Sequence, residues 1–144
     1  MDPDDPVTMA LLAAIAVLAS ALAAPDVRVD SLPALRAAVA AAKPGDRVLL
    51  APGVYQGSLA LNAVHGEKER PIVIAGADAS NPPVIRGTAQ CVHVSKPAYL
   101  VIENLVLERA TGNGINIDDG ADRSALAPGV TLRKLTVRDI GAGC

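Results

Sequence analysis

The most informative pattern along the chain is an interrupted alternation of apolar and polar residues. In residues 100–107 (LVIENLVL), the apolar positions are 100, 102, 105 and 107, so the alternation shifts by one residue at positions 103–104. Residues 130–137 (VTLRKLTV) repeat this shift in the same place, at positions 133–134. Because side chains alternate between the two faces of a strand, a straight strand would turn its second half inside out. A corner is therefore predicted at the two polar residues, and Asn104 suits its left-handed backbone.

Other short apolar runs, bounded by Gly, Pro, Asn or charged residues, are also predicted to be strands. They lie at 47–50, 71–75, 84–85, 91–94 and 114–117. Two pairs of runs recur at a similar spacing: CVHV from Cys91 with GINI from Gly114, and RVLL from Arg47 with PIVI from Pro71. Repeats of about two dozen residues, with two or three strands in each, indicate a solenoid whose coils stack as parallel strands.

A short amphipathic helix is predicted over residues 31–42, before these strands. Asp30-Ser31 supplies a cap residue, and a proline follows in the first turn. One face of the helix then carries three apolar side chains, Leu32, Leu35 and Val39. Lys43-Pro44-Gly45 ends the helix. We expect the helix to cover the open first coil, because bare edge strands invite aggregation.

The predicted fold is all-β: a right-handed parallel β-helix solenoid with a short N-terminal capping helix. About four coils are expected over residues 47–140. No capping segment follows the last strand before Cys144. The chain is therefore expected to be C-terminally truncated, and to self-associate through its open last coil.

The N-terminal residues resemble an export signal. Residues 9–24 form an uncharged apolar run, too short for a membrane span of about 20 residues. The run ends in Ala-Leu-Ala, a processing signature, so residues 1–23 are predicted to be a cleaved signal peptide and residues 24–144 a partial β-helix. This predicts a secreted, periplasmic or cell-surface protein without a stable membrane anchor. The acidic start MDPDDPVT disagrees with a signal, and a translation start at Met9 or further upstream would explain it. The alternatives to a signal peptide are an uncleaved membrane anchor and a buried helix.

Composition narrows the class of function. Aromatic residues make up 1% of the chain, which suits a narrow, repetitive core and removes the usual stacking platform for sugars or bases. Net charge is −2 and no basic cluster appears, so nucleic-acid binding is not expected. Cys91 and Cys144 are predicted to lie about two coils apart, beyond disulfide reach, with Cys91 a small buried residue.

Residues 31–57, SLPALRAAVAAAKPGDRVLLAPGVYQG, resemble the opening of pectate-lyase-like β-helix proteins. They are especially similar to the alginate lyase and chondroitinase B family of polysaccharide lyases. PIVIAG, PPVIRG and YLVIENLVLERATGNGINI continue the pattern, so that the resemblance covers roughly residues 27–141.

The resemblance implies an exported, carbohydrate-active protein that cleaves an acidic polysaccharide by β-elimination. In that family, catalysis is attributed to a Lys and an Arg, with Ca²⁺ held by Asn and Glu, on coils beyond the length of this chain. No catalytic residue is therefore carried over, and this chain alone is expected to be inactive. The alternative is a non-catalytic exported β-helix that binds glycans or serves as a structural or adhesive module at the cell surface.

The loop after GINI holds the candidate binding residues. Asp118, Asp119 and Asp122 bring three carboxylates within five residues, a set that could ligate a hard cation such as Ca²⁺. The spacing lacks the pattern of a defined calcium loop. Asn116, Asp118, Asp119 and Arg109 are the candidate polysaccharide contacts. Of the three interpretations of this loop, a solvated turn is favoured, a sugar-contacting loop comes second and a metal site third.

His93 alternates with Val92 and Val94, so its side chain is predicted to face outward. Such a histidine is most often a surface residue, and it acts as a general base only with a partner. Arg138 and Asp139 follow a strand end, where they could meet an anionic polysaccharide, although such charges are usually solvated.

Overall fold

The computed structural model describes residues 25–141, so the predicted signal peptide and Cys144 lie outside the described residues. Within this range the chain forms one helix and ten strands. They are β1 Asp26–Val29, α1 Leu32–Ala41, β2 Arg47–Leu50, β3 Val54–Gln56, β4 Leu59–Asn62, β5 Ile72–Gly76, β6 Val84–Arg86, β7 Gln90–Ser95, β8 Leu100–Glu108, β9 Asn113–Asp118 and β10 Thr131–Arg138. No helix in this described range combines the length and the apolar character that crossing a membrane requires.

The strands pair in parallel and form two sheets. The larger sheet has the order β1-β2-β5-β8-β6-β3, with β10 also paired to β8, and the smaller has the order β4-β7-β9. The long strand β8 connects two halves of the larger sheet, because its first half pairs with β5 and its second half with β6. This all-β, curled, mostly parallel arrangement is consistent with a β-helix-like fold.

The predicted corner is confirmed. Strands β8 and β10 keep one register on both sides of the corner, with Ile102 opposite Leu132 before it and Leu107 opposite Val137 after it. Asn104 and Lys134 both adopt the left-handed conformation, with φ of 57° and 52°. The Asn104 amide also donates hydrogen bonds to the carbonyl oxygens of Gly76 and Asp78, at 3.2 and 2.9 Å. Apolar residues in both halves of β8 therefore face the core, and Asn104 ties the corner to the turn after β5.

One predicted alignment between repeats is confirmed and the other is wrong. Strands β7 and β9 pair as the spacing of CVHV and GINI predicts, for example His93 with Asn116. Strands β2 and β5 do not align Arg47 with Pro71, because Arg47 lies opposite Val73, two positions further along. Registers that differ by two positions keep the same residues facing inward, so the alternation of apolar residues cannot distinguish between them.

The helix is confirmed, with Ser31 as its N-cap accepting a hydrogen bond from the Ala34 amide at 3.2 Å. The outer residues of the predicted range 31–42 are the caps rather than helical positions. Its apolar face is buried in the same core as β2 and β4, through the predicted residues Leu32, Leu35 and Val39. Three strands were not predicted: β1, β3 and β4 are three or four residues long, which leaves little alternation to read.

The core consists mainly of Val, Ile and Leu side chains stacked from strand to strand. Its inward rows include Val48, Ile74 and Ile102, each at most 1% exposed. Cys91 is fully buried in this core, as predicted, and is a free thiol among the described residues. Burial raises the pKa of the Cys91 thiol, which keeps it protonated and unreactive.

Substitutions at the two corner residues should change stability in opposite directions. Asn104→Ala removes two hydrogen bonds and a residue that tolerates positive φ, so we expect the free energy of unfolding to fall by about 2 kcal/mol. Lys134→Asn places a tolerant residue at the equivalent position, so we expect a rise of up to about 1 kcal/mol. Urea unfolding followed by circular dichroism measures both. Equal effects of the two substitutions would contradict this account of the corner.

Candidate functional site

The outer surface of the small sheet carries a ladder of polar side chains. The register of β4, β7 and β9 places these side chains in two rows across the sheet. One row contains Asn62, Ser95 and Asp118, and the neighbouring row contains His93 and Asn116. We call these five residues the polar face. Val92 and Val94 are fully buried while His93 is half-buried, which confirms that His93 faces outward.

Asp118 is the centre of the polar face. Its Oδ2 lies 2.6 Å from His93 Nε2 and accepts from Asn116 Nδ2 at 3.3 Å. Its Oδ1 accepts from Ser95 Oγ at 2.8 Å and from the Gly120 amide at 2.9 Å. These hydrogen bonds, first from His93 and then from Ser95, lower the pKa of Asp118 from 3.8 to about 2. Asp118 is therefore ionised and already carries four donors.

The pairing with Asp118 also determines the tautomer of a neutral His93. An ionised carboxylate can only accept, so the neutral imidazole must carry its proton on Nε2 and leave Nδ1 as an acceptor. A histidine held in one tautomer by a carboxylate is the arrangement of a general base. Both side chains are a little over a third exposed, so the pair lies open to solvent rather than in a cleft.

The other two carboxylates of the predicted metal set hold their own turns. Asp119 accepts from the Ala121 amide at 2.9 Å. Asp122 accepts from the amide and hydroxyl of Ser124, at 3.0 and 2.6 Å, and these bonds lower the pKa of Asp122. Within residues 25–141, no group of three His, Cys, Asp or Glu side chains is placed to hold a metal ion. The bonds made by Asp119 and Asp122 are those of ordinary turns, and so is the bond from the Gly120 amide to Asp118.

Of the four predicted polysaccharide contacts, the structure brings two together. Asn116 donates to Asp118 on the polar face, whereas Asp119 lies one residue beyond β9 in the following turn. Arg109 is exposed directly after β8, with a left-handed φ of 61°, and no hydrogen bond joins it to the polar face in the described part of the chain. Ser95 was not predicted, although its position opposite Asp118 follows from the confirmed alignment of β7 with β9.

A second cluster, built around Glu108, was also missed. The carboxylate of Glu108 is 5% exposed and accepts from Arg86 Nε at 2.7 Å and from Arg138 Nε at 2.8 Å. The hydrogen bond from Arg86, followed by that from Arg138, lowers the pKa of Glu108. Each of these residues directly follows an inward apolar residue at the end of its strand, a signal that could have placed the three in one stack. Arg138 is therefore part of a contact between strands β6, β8 and β10.

The acid stability of the chain should depend on Asp118. A carboxyl whose pKa is lowered by folding adds stability above its unfolded pKa, and this stability is lost as pH falls through the folded value. We expect that contribution to disappear between about pH 4 and about pH 2, and to be absent in Asp118→Asn. Unfolding midpoints across this range measure it, with Asp119→Asn as a control that leaves the bonds of Asp118 in place. Parallel pH profiles for wild type and Asp118→Asn would show that the bonds to Asp118 add no such stability.

Comparison with solved structures relates this fold to two alginate lyases. The alginate lyase from Paenibacillus sp. str. FPU-7 is 28% identical to the chain with a TM-score of 0.64, over 81% of this chain and 37% of the enzyme. The PL6 family alginate lyase AlyGC is 22% identical with a TM-score of 0.61, over 78% of this chain and 15% of AlyGC. The chain thus spans little more than a third of the first enzyme and a smaller share of the second.

No protein-family model matches the chain, and no curated protein matches it. The likeness to AlyGC concerns the fold alone. In the comparison with the Paenibacillus enzyme, more than a quarter of the aligned residues are also identical. The similarity to alginate lyases inferred from sequence is therefore confirmed for the fold and, with the Paenibacillus enzyme, for part of the sequence.

Proposed function

We propose that this chain forms the first coils of an exported, polysaccharide-lyase-like β-helix protein that acts on an acidic polysaccharide such as alginate. The observation that carries the proposal is the 28% identity to an alginate lyase, with a TM-score of 0.64 over 81% of this chain. The right-handed solenoid, the capping role of α1 and the export of the chain belong to the same proposal.

The polar face is the surface that we propose contacts the polysaccharide. Parallel strands repeat about every 4.8 Å, so their outward rows present hydrogen-bonding groups at regular intervals to an extended polymer. Ser95 and Asn116 offer a hydroxyl and an amide, and His93 offers Nδ1. No Tyr, Phe or Trp belongs to the polar face, since the two tyrosines of the chain lie outside β4, β7 and β9.

The chemistry of β-elimination explains why we propose binding rather than catalysis for these coils. The reaction needs a base for the proton beside the uronate carboxylate and a cation to stabilise the charge that develops there. On the polar face the base candidate, His93, lies beside the negative charge of Asp118, and no Arg or Lys belongs to the set. We therefore expect these coils to bind substrate while the eliminating groups lie elsewhere in the protein.

The test uses the whole 144-residue chain. Affinity electrophoresis in alginate should retard it, and ultraviolet absorbance should reveal no unsaturated uronate product. Ser95→Ala with Asn116→Ala should weaken the retardation, whereas Asn81→Ala, a substitution in the exposed turn before β6, should not. Equal retardation in neutral dextran, or none in alginate, would refute the proposal.

A non-catalytic glycan-binding or structural module is the second candidate. It is favoured by the saturation of Asp118, whose four hydrogen bonds suit a fixed recognition surface better than a proton-transfer site. Expressing the chain together with any coils encoded downstream distinguishes the lyase from the non-catalytic module. Release of unsaturated uronate would support the lyase, and binding without release would support the module.

A further inference from the structure

A pocket lies on the larger sheet, at the corner between its two halves. Its volume is about 190 Å³, and its apolar lining is four small residues between positions 75 and 79. Its polar lining comes from three strands: Arg47 on β2, Glu103 and Asn104 on β8, and Lys134 on β10. The pocket shares no residue with the polar face.

The wall of the pocket is fixed by hydrogen bonds. The Asn104 amide donates to the carbonyl oxygens of Gly76 and Asp78, which holds the turn after β5 against the corner. The carboxylate of Asp78 in turn accepts from the amide and hydroxyl of Ser80, at 2.9 and 2.7 Å. The opening is therefore a built feature of the corner rather than a gap beside a free loop.

Among the charged residues that line the pocket, Arg47 and Lys134 are available to bind an anionic ligand. The carboxylate of Glu103 is bonded through Oε2 to Arg133 Nε at 2.5 Å, so its charge is largely balanced. Arg47 pairs with Asp26 at 3.5 Å, but both side chains are well exposed and such pairs are weak. Within residues 25–141, Lys134 forms no ion pair.

We propose that this pocket binds the carboxylate of a sugar acid, with Arg47 and Lys134 holding the carboxylate and Glu103 accepting hydrogen bonds from sugar hydroxyls. Charge-assisted hydrogen bonds from Arg and Lys are the strongest that a carboxylate accepts. A volume of about 190 Å³ is below the roughly 300 Å³ at which pockets for drug-sized ligands begin, and suits one sugar ring. The choice of a sugar acid rests on the proposed function, but the site is separate from the polar face.

The experiment titrates the isotopically labelled 144-residue chain with D-mannuronate and follows its backbone amides by NMR. Shifts should concentrate at residues 75–79 and 133–134, and D-mannose, which lacks the carboxylate, should not reproduce them. Lys134→Gln and Arg47→Gln should each weaken binding roughly tenfold, since each removes one charged partner. Lys68→Gln, which removes a charge from an exposed loop outside the pocket, should bind like wild type.

The outcomes separate this inference from the proposed function. Alginate binding by a chain whose pocket amides do not respond to mannuronate would overturn the inference and leave the proposed function intact. A charge-dependent response at the pocket, without retention in alginate, would support the inference and refute the proposed function. Equal shifts with mannuronate and mannose, or unchanged affinity in Lys134→Gln with its fold intact by circular dichroism, would overturn the inference.

Discussion

Replacing Leu107 with Ala should lower the free energy of unfolding by about 3 kcal/mol. Leu107 is fully buried and lies in an inward row between Ile85 on β6 and Val137 on β10. Truncating it loses the transfer free energy of the removed atoms and leaves a cavity that the packed neighbouring strands cannot readily close. Urea unfolding of both proteins, followed by circular dichroism, gives the difference.

Leu132→Ala is the matched control for this substitution. Leu132 also faces inward, opposite Ile102, but it is 41% exposed because no further strand covers it in the described range. The same truncation at this position should therefore cost less than about 1.5 kcal/mol. If the two substitutions cost the same at a concentration at which the chain is monomeric, Leu132 is covered within the isolated chain, and its fold is not the one described here.

The corner shows how far sequence reasoning reaches in this fold. The one-residue shift at Glu103 and Asn104 predicted a turn because only a corner keeps both halves of β8 facing the core, and the structure has that turn. The predicted pairing of β2 with β5 was displaced by two positions, because the apolar alternation is the same in both registers. Periodicity thus determines which side chains face inward, while loop geometry determines the offset from one coil to the next.

The candidate site was predictable to a similar extent. Alternation with its valine neighbours predicted that His93 faces outward, and the spacing of CVHV and GINI placed Asn116 beside it. The contact between His93 and Asp118 is diagonal and depends on side-chain rotamers, about which the sequence is silent. Asp119 and Asp122 were considered as metal ligands on spacing alone, and spacing does not reveal that each carboxylate accepts from its own turn.

Strand β10 should make the purified chain associate with itself. In the described range it pairs only with β8, so one edge of the strand has free backbone donors and acceptors. Its inward residues Leu132 and Val137 are 41% and 48% exposed, whereas their partners in β8, Ile102 and Leu107, are buried. An exposed strand edge next to exposed apolar residues favours pairing with another chain. We expect a concentration-dependent shift to larger species in size-exclusion chromatography.

The double substitution of Leu132→Lys with Val137→Lys should make the chain monomeric. The two lysines would face the second copy and would have to lose their hydration for that copy to bind. The matched control is Thr131→Lys with Thr136→Lys, which adds the same charge to the outward positions of the same strand. This control should still associate. If both doubles are monomeric, general charge repulsion explains the effect, and a wild-type chain that stays monomeric at all concentrations would refute association through β10. Association lost only in the inward double would locate the contact on the side of β10 where Leu132 and Val137 are exposed, which is also where a further parallel strand could pair.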